Sequence, residues 1–257
     1  MARLEIHQFI CRSDNYGVLL HDHKSGETAA IDAPDAVEIE RQLMEQGWHL
    51  THILTTHHHG DHVEGNAALK QRFGCTITGP RAEAGNIPGL DRAVSGGDSF
   101  SWAGREVRVL DCPGHTAGHI AYHLPEEEVL FAGDTMFSLG CGRVFEGTME
   151  EMYRSVSQFA ALPASTRLYC GHEYTQSNAR FALSVEPGNA ALVARAAEVD
   201  RLRAAGKMTC PSPLGQELDT NPFLRTGSVE IRRNLGLAGA SDAEVFAALR
   251  RAKDSFR

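Results

Sequence analysis

Short apolar runs fill the first two-thirds of the chain, and turn residues interrupt them before any could become a long helix. Residues 4–10, 16–21 and 28–32 are such runs, separated by Asp14-Asn15 and Ser25-Gly26, and they predict a meander of strands that opens a sheet. Behind Pro34 the spacing changes, with Val37, Ile39, Leu43 and Met44 at helical intervals up to Gly47. A strand at 51–55 and a helix at 63–72 are expected next. Further short strands follow at 75–78, 100–102, 106–110, 120–123, 129–131 and 167–170, with a helix at 149–162 before the last of them. That alternation predicts an α/β (α+β) protein with mixed sheets and helices on their outer faces. Past His172 no strand is expected: residues 179–184, 190–205 and 242–251 read as helices, with a Pro- and Ser-containing connection at 211–213. The change of pattern places a boundary near 171–178, giving a sheet domain at 1–173 and a helical domain at 174–257.

A chain of 257 residues can bury a sizeable core as one large domain or a domain with an appendage. Its 42% hydrophobic and 23% charged content is ordinary for a soluble globular protein. Acidic residues outnumber basic ones, 25 − 33 = −8, which argues against a nucleic-acid partner while leaving room for a local basic cluster that binds a small anion. The six cysteines include no CxxC pair, so neither a disulfide framework nor a thiolate zinc knuckle is expected, and reduced thiols suit the cytoplasm. Residues 1–10 mix Arg3, Glu5 and His7 with apolar positions and lack the continuous core of a signal peptide. No apolar run approaches the ~20 residues that span a bilayer, so no membrane partner is expected. Without a long apolar surface stretch, the expected state is a monomer.

The chemistry concentrates in Thr56-His57-His58-His59-Gly60-Asp61-His62, directly after the apolar Ile53-Leu54. Imidazoles and a carboxylate so crowded call for a cation among them, and nitrogen and oxygen donors suit a borderline divalent metal. In an extended loop His57 and His59, two apart, converge on one ion, whereas Asp61 and His62 at a helix entrance suit a second. Gly60 permits the turn between the pairs, and His58 points the other way and is not expected to bind. A histidine-rich surface loop without an ion is the plainer alternative.

Three more short apolar runs end beside a glycine in a histidine or aspartate, at Gly114-His115, Gly133-Asp134 and Gly171-His172. Each alone reads as an ordinary turn. Together they place donors at the ends of several strands, where α/β active sites gather. His57, His59, Asp61, His62, His115, Asp134 and His172 are too many for one tetrahedral zinc with an open position. Two metals are expected, with His57, His59 and His115 on one, Asp61, His62 and His172 on the other, and the Asp134 carboxylate bridging. Two ions about 3.5 to 4 Å apart can share a hydroxide nucleophile near neutral pH. Zinc is the first expectation, and iron or manganese would accept the same donors. Asp32 either orients a ligand histidine from behind or simply opens the turn to Pro34. His119 and His123, on the strand after Gly114-His115, read as structural. His7, His21, His23, His49 and His52 give no site signal.

The THHHGDH stretch, GHTAGH at 114–119, AGDT at 132–135 and GHEYT at 171–175 together resemble the metallo-β-lactamase superfamily. GCGRVFEGT at 140–148, VEPGNAA at 185–191, NPFLR at 221–225 and the closing RRAKD at 250–254 resemble, more narrowly, the glyoxalase II (hydroxyacylglutathione hydrolase) family. The resemblance implies an αββα sandwich with the catalytic site, followed by a helical glutathione-binding domain. It implies hydrolysis of S-D-lactoylglutathione to D-lactate and glutathione in methylglyoxal detoxification, with Asp61 and Asp134 at the catalytic centre. The leaving thiol, with a pKa of roughly 8.5, departs as thiolate without a dedicated general acid. By the same resemblance Arg250 and Lys253 hold the glycine carboxylate, with Arg143 and Tyr174 on the peptide. Two positions depart from the family pattern: Arg143 stands where Lys is common, and Phe145 where Tyr is frequent, removing a hydrogen bond worth ~0.5 to 1.5 kcal/mol. A mononuclear-iron persulfide dioxygenase and another hydrolase of the same fold are the rival enzymes. A non-catalytic metal- or glutathione-binding protein is the rival of a different class.

Overall fold

The first hairpin turns where the sequence puts its turn residues: β1 (Leu4–Cys11) pairs antiparallel with β2 (Asn15–Asp22), Cys11 facing Asn15. The computed structural model describes residues 4–256; residues 1–3, at the head of the stretch read against a leader, and residue 257 lie outside them. The chain divides into two units, Met1–Asp111 with Thr116–Glu127, and Cys112–His115 with Glu128–Arg257.

In the first unit β3 (Thr28–Ile31) pairs antiparallel with β2, and β4 (His52–Leu54), β5 (Thr76–Pro80) and β6 (Arg92–Val94) follow in parallel, in the spatial order β1 to β6. Parallel neighbours need crossovers. One is α1 (Ala36–Gln46), started by the Asp35 carboxylate, which accepts from the Val37 and Glu38 N–H groups, and closed by Gly47. A second was expected as one helix over 63–72 and is instead two, α2 (Gly60–Val63) and α3 (Asn66–Phe73). The break falls at Gly65, whose N–H donates to Ala33 O at 2.8 Å and where a Cβ would stand 2.8 Å from that oxygen. Backbone passing that close to the β3–α1 turn excludes a side chain. β6, with two polar-flanked residues and little apolar pattern, was not expected; its pairing to β5, Thr78 opposite Arg92, recruits it. Phe9, Leu19, Ile39, Leu43, Ile53, Leu69 and Ile77 fill the core between this sheet and its helices.

Three antiparallel strands complete the unit, β7 (Ser99–Trp102), β8 (Arg105–Asp111) and β9 (Ile120–Leu124). Along β8 buried and exposed residues alternate, as expected for a strand with one covered face. From β9 the Tyr122 hydroxyl donates to Thr55 O at 2.8 Å, beyond the end of β4. Arg105, buried at the start of β8, donates to Asp22 at 2.8 Å and Glu127 at 2.6 Å.

The second unit holds β10 (Val129–Phe131), the hairpin of β11 (Met136–Phe137) and β12 (Gly140–Cys141), and β13 (Arg167–Tyr169), which runs parallel to β10. The expectation of no strand beyond His172 is corrected by β14 (Ser212–Pro213), antiparallel to β13. Two residues, one a proline without a ladder donor, leave no strand pattern to read, and such a pair is tolerated at a sheet edge. The helices are α4 (Met149–Phe159), α5 (Thr175–Val185), α6 (Ala190–Ala204), α7 (Leu214–Thr220), α8 (Val229–Asn234) and α9 (Asp242–Ser255). Capping boxes at Thr148/Glu151 and Ser241/Glu244 start α4 and α9. α7 and α8, shorter than two helical periods, carried no readable apolar period. No disulfide joins the cysteines, all buried, and among the described residues no helix is long and apolar enough to cross a membrane.

Candidate metal centre

β4 stops at Leu54, and residues 55–58 lead to His59 at the N-terminal cap position of α2, with φ −58° and ψ 142°. His57 is fully buried; its Nδ1 meets the Thr56 hydroxyl at 3.0 Å and its Nε2 lies 3.1 Å from His59 Nδ1. In the first turn of α2, His62 turns its Nδ1 to Asp32 Oδ2 at 2.8 Å, leaving Nε2 3.7 Å from Asp61 Oδ2. Asn15 donates to both Asp61 O at 3.0 Å and Asp61 Oδ2 at 3.1 Å. Asp32, at the end of β3 with φ 58°, also accepts the Thr56 N–H at 2.7 Å and hydroxyl at 2.9 Å. Its carboxylate is spent on the loop that carries the candidate ligands. His58 turns the other way, its Nδ1 2.8 Å from Glu83 Oε2. His119 precedes β9 rather than lying on it, and its ring stacks on His57 at 4.6 Å.

In the second unit three loops supply the donors. His115 turns its Nδ1 to Arg143 O at 2.9 Å, and its Nε2 lies 3.5 Å from Asp134 Oδ2. His172, just past β13, brings its Nε2 to 3.3 Å from the same oxygen. The loops of Asp134 and His172 are tied by the Gly171 N–H, which donates to Gly133 O at 2.9 Å. At Gly142, just past β12, a Cβ would stand 1.9 Å from Asp134 O, so only glycine lets the chain past.

These separations test whether the donors suit a metal. Two ligand atoms ~2.1 Å from one tetrahedral zinc stand ~3.4 Å apart. The pairs above, at 3.1, 3.3, 3.5 and 3.7 Å, cluster about that value. His62 and His115 each spend one ring nitrogen on an oxygen acceptor and turn the other to the cluster, the usual arrangement of a metal-ligating histidine. The donor set fits divalent metal. A thiol nucleophile does not fit as well: burial pushes Cys141, in the same unit, up to about 11.

Of the residues expected on glutathione, Arg143 is largely exposed, its Nε 3.8 Å from Asp254 Oδ1. The Tyr174 ring lies flat on His172, centroids 4.7 Å apart, and Phe145, 60% exposed, leans on His115 at 5.3 Å. Arg250 and Lys253 share α9 but not surroundings. Arg250 is buried, its guanidinium donating to Cys141 O at 2.6 Å and Asp254 Oδ1 at 3.0 Å. Lys253 is part-buried with Nζ 3.0 Å from Ser177 Oγ; burial lowers its pKa, and Arg250, Arg180 and Arg143 lower it further.

Sequence reasoning missed two buried carboxylates. Glu83 accepts bonds from both His58 and the segment after His115. Glu217 accepts from Ser138 Oγ and the Leu139 N–H, each at 2.7 Å, and from Ser212 Oγ at 2.7 Å, with Asn221 beside it donating to Phe137 O and Gly140 O. Neither stands in a motif; a lone glutamate between polar residues carries no signal of burial.

The metallo-β-lactamase superfamily profile matches residues 25–172, and the profile of the hydroxyacylglutathione hydrolase C-terminus matches 173–256. The hydroxyacylglutathione hydrolase of Rhizobium meliloti (strain 1021) is 58% identical over 256 residues, covering 100% of both chains. That of Brucella ovis is 58% identical over 254 residues, covering 99% of each. Among solved structures, ETHE1 from Myxococcus xanthus superposes with TM-score 0.68 at 23% identity, over 98% of this chain and 96% of its own. TTHA1623 in a di-iron-bound form superposes with TM-score 0.62 at 21% identity, over 86% of this chain and 100% of its own. Likeness at that distance speaks for the metallo-β-lactamase fold, and the full-length relatives speak for more: the chain belongs to the hydroxyacylglutathione hydrolase family.

Proposed function

We propose that this thioester hydrolase cleaves S-D-lactoylglutathione to D-lactate and glutathione, with two divalent ions held by His57, His59 and His115 on one side and Asp61, His62 and His172 on the other, Asp134 bridging. Family membership supports the reaction. The single observation that carries the centre is Asp134 Oδ2, which faces the Nε2 atoms of His115 and His172 at 3.5 and 3.3 Å. Zinc is the first candidate; the di-iron form of TTHA1623 keeps iron open. When bound, the pair of ions supplies Lewis acidity that polarises the thioester carbonyl and lowers the pKa of water toward neutrality.

The chain's own residues set the geometry. Asp32 holds His62, and the carbonyl of Arg143 holds His115, each in the tautomer that presents Nε2. Asp61, steadied by Asn15, and Asp134 supply the negative charge that retains cations in a chain otherwise rich in imidazole. Arg250 and Lys253 hold the glycine carboxylate, Arg143 and Tyr174 the peptide, and Arg250 also donates to the Cys141 carbonyl, which ties α9 to the β11–β12 hairpin. The thiolate leaves unprotonated, its pKa being roughly 8.5. We assign catalysis to 1–173 and glutathione binding to 174–257, a division supported by the two family profiles meeting between 172 and 173. A monomer in the cytoplasm, with its thiols reduced, suits a glutathione substrate.

The test is loss of thioester absorbance with purified protein, with metal measured on the same sample. Rapid hydrolysis at close to two metals per chain is expected. Two metals without hydrolysis, or oxygen uptake with glutathione persulfide instead, overturns the reaction; hydrolysis at one metal overturns the dinuclear division.

A further inference from the structure

Between His57 and His59 stands a histidine that binds nothing in the ligand scheme, and what it does bind is a buried carboxylate. Glu83 lies in the short turn Arg81–Asn86 after β5 and is 4% exposed. No Lys or Arg pairs with it among the described residues. Its four donors come from two segments only. Oε2 accepts the His58 N–H at 2.7 Å and His58 Nδ1 at 2.8 Å; Oε1 accepts the Gly118 N–H at 2.9 Å and the Thr116 hydroxyl.

We propose that Glu83 is a positioning residue of the metal centre, fixing His58 so that its neighbours His57 and His59 project together, and pinning the segment that follows His115. The inference rests on the ligand scheme proposed above. In extended chain successive side chains point to opposite sides, so a middle residue held by both backbone and ring fixes the direction of the residues flanking it. Asp32 takes the Thr56 N–H and Glu83 takes the His58 N–H, so His57 is clamped on either side by a carboxylate. The second pair of donors extends the clamp, because Thr116 follows His115 in the chain and Gly118 precedes His119, which stacks on His57. The four donors occupy both oxygens, as a buried carboxylate requires. Here every donor belongs to a segment adjoining a metal ligand, which ties the charge to the site rather than to the core.

The experiment titrates metal-free protein with Co(II) against a chromogenic chelator, and records the Co(II) spectrum, the Tm of the metal-free protein, and kcat and KM after refilling. Glu83→Gln is nearly isosteric but turns one acceptor oxygen into a donor, so one side of the clamp must open. Metal affinity is expected to fall roughly 10- to 100-fold, with a shifted Co(II) spectrum and lower kcat at unchanged KM. Wild-type affinity and spectrum in Glu83→Gln overturn the proposal whatever happens to Tm, since a merely structural carboxylate would move Tm alone. Should that variant not fold, His58→Ala, which deletes only the ring donor, is expected to weaken Co(II) binding several-fold, and wild-type binding by it overturns the proposal equally. Failure of the ligand scheme itself reads differently: the wild-type protein would then bind no metal.

Discussion

The candidate ligands in residues 57–62 and those at 115, 134 and 172 make an instructive pair. The first group arises from one strand end and one helix turn, so a few consecutive residues bring His57 beside His59 and His62 beside Asp61, with Asp32, Asn15 and Glu83 steadying them. The second draws one donor from each of three loops, and Asp134 Oδ2 meets His115 and His172 only because separate anchors hold those loops. The anchors are the Arg143 carbonyl on His115, the Gly171 bond to Gly133, and the β11–β12 hairpin held by Glu217 and Asn221. A local group has few supports to lose; a dispersed one inherits the tolerance of everything that supports it.

The largest expected effect tests the dispersed group at its centre. Asp134→Ala loses metal and hydrolysis together, read by metal analysis and thioester turnover; two tightly bound ions per chain in this variant would refute the bridge. Glu217→Ala, remote from any ligand, strands the Ser138, Leu139, Ser212 and Asn221 donors and is expected to cost about 3 kcal/mol in urea unfolding. It should also lower the metal content of the folded protein, whereas an unchanged content would show the dispersed group to be more self-sufficient than its anchors suggest. Asp22→Asn is the contrast from the first unit. It leaves Arg105 buried without one of its carboxylates and is expected to cost about 3 kcal/mol while sparing metal content.

That ion pair also gives a pH signature. Although burial alone would raise it, bonds from Ser25 and Arg105 bring the Asp22 pKa down to about 2 from 3.8. A carboxylate depressed on folding stabilises above its unfolded value, so the contribution is whole above pH ~4 and fades as pH falls toward 2. The Asp22→Asn protein should therefore show a flatter acid limb in unfolding. The smallest effect concerns substrate grip: Lys253→Ala raises KM with kcat nearly intact, as expected for binding remote from the reacting carbonyl. Because burial lowers the Lys253 pKa, the wild-type KM should climb on the alkaline side at a lower pH than an ordinary lysine would give, and the variant's KM should not.

How much was readable in the sequence follows the same contrast. The opening meander, α1 between Pro34 and Gly47, and the THHHGDH loop were legible because each is specified within a few residues. Asp32 was half-read: its position was visible, but the bonds to Thr56 and His62 depend on a neighbouring strand. β14 and the break at Gly65 escaped because pairing partners and a close backbone, not propensity, decide them. Spacing put Arg250 and Lys253 on one helix face, yet it could not show that Arg250 turns inward to Cys141 O. Glu83 and Glu217 were invisible for the plainest reason, since burial of a charged residue is a property of what surrounds it.

Leu139, a buried non-glycine residue at φ 58°, sits in the hairpin turn only because Glu217 takes its N–H and Asn178 and Asn221 hold the carbonyls on either side. Those partners are encoded far downstream of the turn they hold. Recombination between family members that swaps the carboxy-terminal segment thus exchanges half of a contact whose other half stays behind. Chimaeras with a crossover near residue 173 should survive only when both parents agree at the hairpin, so Ser138–Leu139 and Glu217 behave as one heritable unit.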